Sequence, residues 1–230
     1  MPRRICPGKA SRGLVVSLTR RVDGPAVAGG RPGVCPTNVS GVCPTNVSDA
    51  AAGKGDWMYE KANGLEYKSF LGALHEQILF DWYLEVGCRT GESFAPVRSK
   101  TIAIDPFFRA NINVIGRKPA LHVFQTTSDE FFSTDFLARN GIQLSLSFLD
   151  GMHLFEYLLR DLIKVEAASG PGAVILMHDC APRNLRMTTR DLTAIRGAWT
   201  GDVWKLVPIL KTYRDDLTLT MLDCHPTGLL

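Results

Sequence analysis

No run of apolar residues in this chain approaches the roughly 20 that a membrane-spanning helix needs, and the segment GLVVSL behind the first basic residues is too short for a signal-peptide core. No membrane partner is expected. The six cysteines (Cys6, Cys35, Cys43, Cys88, Cys180, Cys224) form no CxxC pair and no dense cluster. A disulfide framework or a cysteine zinc site is therefore not expected, and a reducing cytosol fits. A large charge imbalance is missing as well. The formal net charge is +3, and residues 1–50 alone carry seven Lys/Arg against two acids, which leaves the remainder slightly acidic. A slightly acidic body has no electrostatic footprint for nucleic acid.

What is there divides in two. Residues 1–55 are rich in Gly, Pro, Ala and Arg, show no helical or strand period, and contain the octapeptide GVCPTNVS twice, at 33–40 and 41–48. They read as a disordered basic leader with a tandem duplication too short to be a solenoid. An organelle transit peptide or an overlong start assignment would look the same. Asn38 and Asn46 match the glycosylation acceptor pattern, but without a secretion signal no glycan is expected. Residues 56–230 are enough for one domain with its own core.

Within that domain, strand and helix patterns alternate. Helical spacing is expected at 69–80, in a short helix starting at 91 and limited by Pro96, and at 128–139, 153–168 and 203–214, the last with a kink or late start at Pro208. Apolar strands are expected at 81–86, 101–105, 121–125, 142–150, 172–179 and 217–222. Strands separated by helices of this length imply an α/β fold, a mostly parallel, doubly wound sheet with helices on both faces.

In such a sheet, ligands sit beyond the carboxyl ends of the strands. Four expected strands end in chemically capable groups: Glu85-x-Gly87, Asp105, Asp150-Gly151 and His178-Asp179. One acid after a strand is usually a turn residue; four on one edge are harder to assign that way. Gly87 permits a sharp exit from the first strand, and Gly91 lets backbone approach a ligand at the start of the next segment. Glu85 stands where a dinucleotide fingerprint would have its first glycine, so that fingerprint is absent. Asp105 follows Glu85 by twenty residues, the distance at which an acid accepts ribose hydroxyls.

The strings LEVGCRTG, AIDP, FLDG and GPGAVILMHD resemble the class I S-adenosylmethionine-dependent methyltransferases. TSDEFF, DGMHLFEYLLRDL, HDC and WTGDVWKLVPIL look like the branch of small-molecule O-methyltransferases of antibiotic and sugar pathways, and the resemblance spans roughly residues 65–228. It implies a Rossmann-like fold and S-adenosylmethionine as cofactor. Glu85, Gly87 and Gly91 would surround its methionine end, Asp105 would hold its ribose, Ser128 and Asp129 would lie near its adenine, and Asp150 beside the sulfonium. It also implies a last antiparallel strand, for which little chain remains after PTG, so that strand is expected to be truncated. Some relatives bind a divalent cation such as Mg through an acid after the fourth strand and an acidic pair after the fifth; Asp150 and Asp179 match two of those positions, and His178 replaces a carboxylate.

The expected catalytic residues are Asp150, His153 and His178, as groups that orient an acceptor or move its proton. His75, His122 and His225 read as partly buried structural histidines, and neither Cys88 nor Cys180 has a base at readable spacing. Trp199, Trp204 and residues 200–202 border a substrate pocket or belong to the core. The expected partner is a small-molecule acceptor, with a homo-oligomer compatible. The alternatives are a nicotinamide-dependent oxidoreductase, whose third glycine and hydride-transfer pair are not found, and a non-catalytic cofactor-binding module derived from a methyltransferase.

Overall fold

The computed structural model describes residues 61–230. The leader, its duplicated octapeptide, Asn38, Asn46, Cys6, Cys35, Cys43 and the expected domain start at residue 56 lie outside the described residues.

Five strands, β1 (Trp82–Val86), β2 (Lys100–Ile104), β3 (Leu121–Phe124), β4 (Leu144–Leu149) and β5 (Ser169–Met177), form one sheet in the order β3-β2-β1-β4-β5. Every pair is parallel. The central strands read as near-continuous apolar runs because both of their faces are covered. The chain winds outward from β1 to β3 and then returns to the other side of β1, so strand order reverses between β1 and β4. This is the α/β, Rossmann-like architecture expected from the alternating pattern.

The strand period sends alternate side chains to opposite faces. Leu84 and Val86 join Ile102, Ile104 and Leu149 in a core capped by α4 (Phe155–Ala167) through Leu158, Leu162 and Val165, and by α5 (Leu206–Tyr213) through Leu206 and Leu210. The short helices α2 (Ser128–Ser133) and α3 (Phe136–Arg139) add Phe131 and Leu137 to the same core. Tyr83, Ala103, Leu146, Phe148 and Leu176 face the other way. They are covered by Leu71 of α1 (Tyr67–Gln77), by Phe94 and Val97 of the β1–β2 connection, and by Cys224 and Leu229. One face is therefore helical and the other mostly loop. No described helix is long and apolar enough to cross a membrane.

Several elements depart from expectation for local reasons. The expected helix at 91 is a run of turns with a single helical bond, Ala95 N–H to Gly91 O. Pro96 has no N–H to extend it and disfavours helical backbone in the residue before it. The expected helix 128–139 breaks into α2 and α3 at Asp135, whose φ is 52°. Just before the break, the Ser133 and Thr134 hydroxyls bond back to the carbonyls of Glu130 and Phe131, competing with the helix ladder. β5 begins at Ser169, and the register against β4 jumps from Ser169 to Val174, so the Gly-Pro-Gly stretch forms a bulge instead of a stop. Pro208 falls in the first turn of α5, where a missing N–H costs nothing. Residues 217–222 do not form a strand: Leu217 and Leu219 pack on the helical core, and Leu222 makes one bridge to Leu229. Beside β5, the antiparallel closure is likewise a bridge, in which Met177 and Leu230 exchange N–H···O bonds of 2.8 and 2.9 Å.

Candidate functional site

The register aligns Val86 with Ile104 and Leu149, Ile104 with Phe124, and Leu149 with Met177. One step beyond these residues lie Gly87, Asp105, Asp150 and His178, so the groups singled out from sequence come to one edge of the sheet.

After β1 and β2 the chain is tightly folded upon itself. Gly87 has φ 87°, and a Cβ there would lie 1.9 Å from the carbonyl oxygen of Asp150, which welds the end of β1 to the end of β4. Gly91 has φ 80°, and its close neighbour is the Val114 side chain, 2.5 Å from a Cβ position. Glu85 lies on the loop-covered face and is fully buried. It accepts hydrogen bonds from the Tyr83 hydroxyl (2.5 Å) and from the Ser93 hydroxyl. Burial pushes its carboxyl up to about 7 against those bonds. The side chain therefore faces protein donors. Asp105 accepts from Arg89 N–H (2.8 Å) on one oxygen and Phe107 N–H (2.7 Å) on the other, so it ties the β1 and β2 loops together. Each oxygen keeps acceptor capacity for a further hydroxyl.

Ser128 and Asp129 open α2 behind a capping box made by Thr127 and Glu130. Both reach α4. Asp129 forms a two-bond pair with Arg160 (2.7 and 2.9 Å), and Ser128 bonds the Asp161 carboxyl, which burial pushes up to about 6.

After β4 and β5, four titratable groups face one another. Asp150 Oδ1 is 3.0 Å from His178 Nδ1 and 3.3 Å from His153 Nε2, and Asp179 Oδ2 is 3.0 Å from His153 Nδ1. His153 Nδ1 also lies 2.7 Å from the Trp199 carbonyl, which can only accept. That contact puts a proton on Nδ1 and leaves Nε2 turned toward Asp150. The Trp199 ring stacks on His153 with centroids 5.1 Å apart, and the Tyr67 ring lies 4.2 Å from that of His178. Asp179 holds φ 61°, a left-handed conformation that costs an ordinary residue energy and aims its carboxylate into the cluster.

The electrostatics follow from this crowding. Burial opposes charge on His178, but Asp150 and Asp179 outweigh it and raise the imidazole to about 10. His153 is raised by the same two carboxylates against burial. Burial pushes Asp150 upward, and the two histidines more than reverse that, holding it below the usual carboxylate range. Burial, then Asp150, raise the Tyr67 hydroxyl above its ordinary value.

Asp150, His153 and Asp179 offer ligand atoms that all lie within 4.8 Å of one another. The sequence pointed to His178 as the nitrogen replacing a carboxylate, whereas the geometry groups His153 with the two acids. Two carboxylates and one imidazole form a mixed set that suits Mn or Zn better than the all-oxygen shell preferred by Mg.

Of the histidines read as partly buried, His75 is 1 % exposed and both its ring nitrogens lack partners, while His122 and His225 are exposed. Cys88, Cys180 and Cys224 are buried and free. Tyr67 and Thr227 were not apparent from sequence. They reach the site from the start of α1 and from the segment after α5, and no local pattern marks such distant contacts. A scan against protein-family models finds no match to this chain, and a search of curated proteins finds none either.

Proposed function

We propose that this chain is an S-adenosylmethionine-dependent methyltransferase that acts in the cytosol on an oxygen of a small-molecule acceptor. The observation that carries the reading is convergence: the Gly87–Gly91 turn, Asp105 and the Asp150–His153–His178–Asp179 cluster share one carboxyl edge where strand order reverses. In this reading the cofactor lies over the ends of β1 and β2. The remaining lone pairs of Asp105 accept the ribose hydroxyls, and Asp150 stands between cofactor and acceptor.

The donor set fits a divalent cation, which Asp150, His153 and Asp179 would hold. Such a cation, when bound, lowers the pKa of an acceptor hydroxyl. In the metal-free protein Asp150 and Asp179 outweigh burial and raise the His178 imidazole to about 10, so it stands as a positive charge beside Asp150. His153, with Nδ1–H committed to the Trp199 carbonyl, presents Nε2 beside Asp150. The Trp199 ring, stacked on His153, and the Tyr67 ring, tilted against His178, wall the cluster.

Incubating the protein with S-adenosylmethionine and small-molecule extracts, then scanning by mass spectrometry for gain of one methyl group, tests the activity. A methylated product that disappears on chelation and returns with Mn2+ is the expected result. Methylation indifferent to chelation would remove the metal, and absence of any methylated product would count against the transferase.

A further inference from the structure

We propose that Thr227 is a positioning residue of the β4–β5 site, delivered by residues 222–230, and that it fixes the orientation of the Asp179 carboxylate toward the cleft. The proposal rests on the reading of Asp150, His153 and Asp179 as a divalent-cation site.

Thr227 is 2 % exposed, and its hydroxyl donates to Asp179 Oδ1 at 2.6 Å. Its Oγ1 also lies 3.5 Å from His178 Nε2. Because the hydroxyl proton goes to Asp179, the oxygen is left as acceptor toward His178. Oδ1 of Asp179 is thus occupied on its protein side by Thr227 and by His178 Nδ1 at 3.4 Å, while Oδ2 points to His153. A carboxylate on a short tether can rotate about its last bond and swing its free oxygen out of line with the cleft. The Thr227 hydroxyl opposes that rotation.

The hydroxyl is itself held in place at three points. Ala181 N–H bonds the Thr227 carbonyl at 2.7 Å, two residues beyond Asp179. Met177 and Leu230 pair across the edge of β5, and His225 exchanges hydrogen bonds of 3.0 Å with Leu65 and Tyr67, whose ring covers His178. The segment therefore grips both sides of the site: the strand that carries His178 and Asp179, and the start of the helix that carries Tyr67.

The test uses the full chain with Mn2+ as the probe, measured by electron paramagnetic resonance, and S-adenosylhomocysteine affinity as the control. Partners of metal ligands are typically worth about 10–100-fold in metal affinity. Thr227→Val should weaken Mn2+ binding at least about 10-fold, Thr227→Ser should restore it, and the control affinity should stay at the wild-type value in both. Wild-type Mn2+ affinity in Thr227→Val overturns the proposal while leaving the metal reading intact. Equal loss of Mn2+ and control affinity in both variants overturns it too, as the mark of a merely structural residue. If wild type binds no Mn2+, the metal reading fails, and nitrogen-15 spectra of the histidine side chains decide. His153 ring signals that move in Thr227→Val but not in Thr227→Ser support positioning; unmoved signals refute it.

Discussion

The acids after β1 and β2 share a sheet edge with those after β4 and β5, but the two halves satisfy them in opposite ways. Glu85 and Asp105 take neutral donors: two hydroxyls for the first, two backbone N–H groups for the second. Asp150 takes two imidazoles, and Asp179 takes imidazoles together with the Thr227 hydroxyl. Neutral donors build a rigid frame in which Asp105 is the acid with capacity left for a ligand. Imidazoles hold Asp150 in its charged form, so the second half carries paired opposite charges where the first half does not. In the proposed reading, the difference separates a binding shelf from a reactive cluster on one scaffold.

The sharpest way to break this arrangement is at the junction of the halves. Gly87→Ala would drive a Cβ into the Asp150 carbonyl at a left-handed backbone position, and a loss of about 4 kcal/mol or more is expected in urea unfolding. A loss below about 1 kcal/mol would mean the two strand ends are not joined as described.

The halves should next separate by pH in the metal-free protein. Folded Glu85 keeps its proton to about 7, while an unfolded Glu loses it near 4.5. At Glu85 the unfolded chain therefore binds fewer protons in that window, and the contribution of this one group to stability falls as pH rises from 4.5 to 7, by up to about 3 kcal/mol. His178 is raised from 6.5 to about 10, so its contribution is full below 6.5 and is lost as pH rises from 6.5 to 10. Glu85→Gln should remove the first contribution and leave the second, whereas Asp150→Asn should shrink the second strongly and, through its charge on Glu85, the first weakly. Thermal melts across pH 4–10 check this, and a second window moved by Glu85→Gln would erase the distinction.

Smaller effects follow on the binding shelf. Asp105→Ala should weaken S-adenosylmethionine binding by about 1–3 kcal/mol, read by calorimetry. Unchanged affinity would remove the ribose assignment. Asp129→Ala should cost under about 1 kcal/mol in stability, because its pair with Arg160 is solvent-exposed. A larger loss in cofactor affinity than in stability would support the place of Asp129 near the adenine.

The strands were legible in sequence because buried parallel strands are apolar runs, and the strand-end residues were legible because they interrupt those runs. Asp150, His178 and Asp179 were found that way and His153 by its place at the helix start just after Asp150-Gly151, and the fold brings all four together. What the sequence hid has physical causes. Leu217 and Leu219 alternate like a strand but find their partners in the helical core, since alternation marks a two-faced segment and not its hydrogen bonds. Glu85 looks like a ligand by position, yet Tyr83 two residues earlier and Ser93 eight residues later already occupy it. Tyr67, on the site through its ring, and Thr227, through its hydroxyl, owe their places to tertiary contacts that no local period encodes.

The central claim is that the β1–β2 shelf binds a methyl donor. Isothermal titration of the chain with S-adenosylmethionine, S-adenosylhomocysteine and NAD tests it most directly. Binding of the two adenosyl compounds, weakened by Asp105→Ala and not shared by NAD, is the predicted result; binding of NAD alone would contradict it.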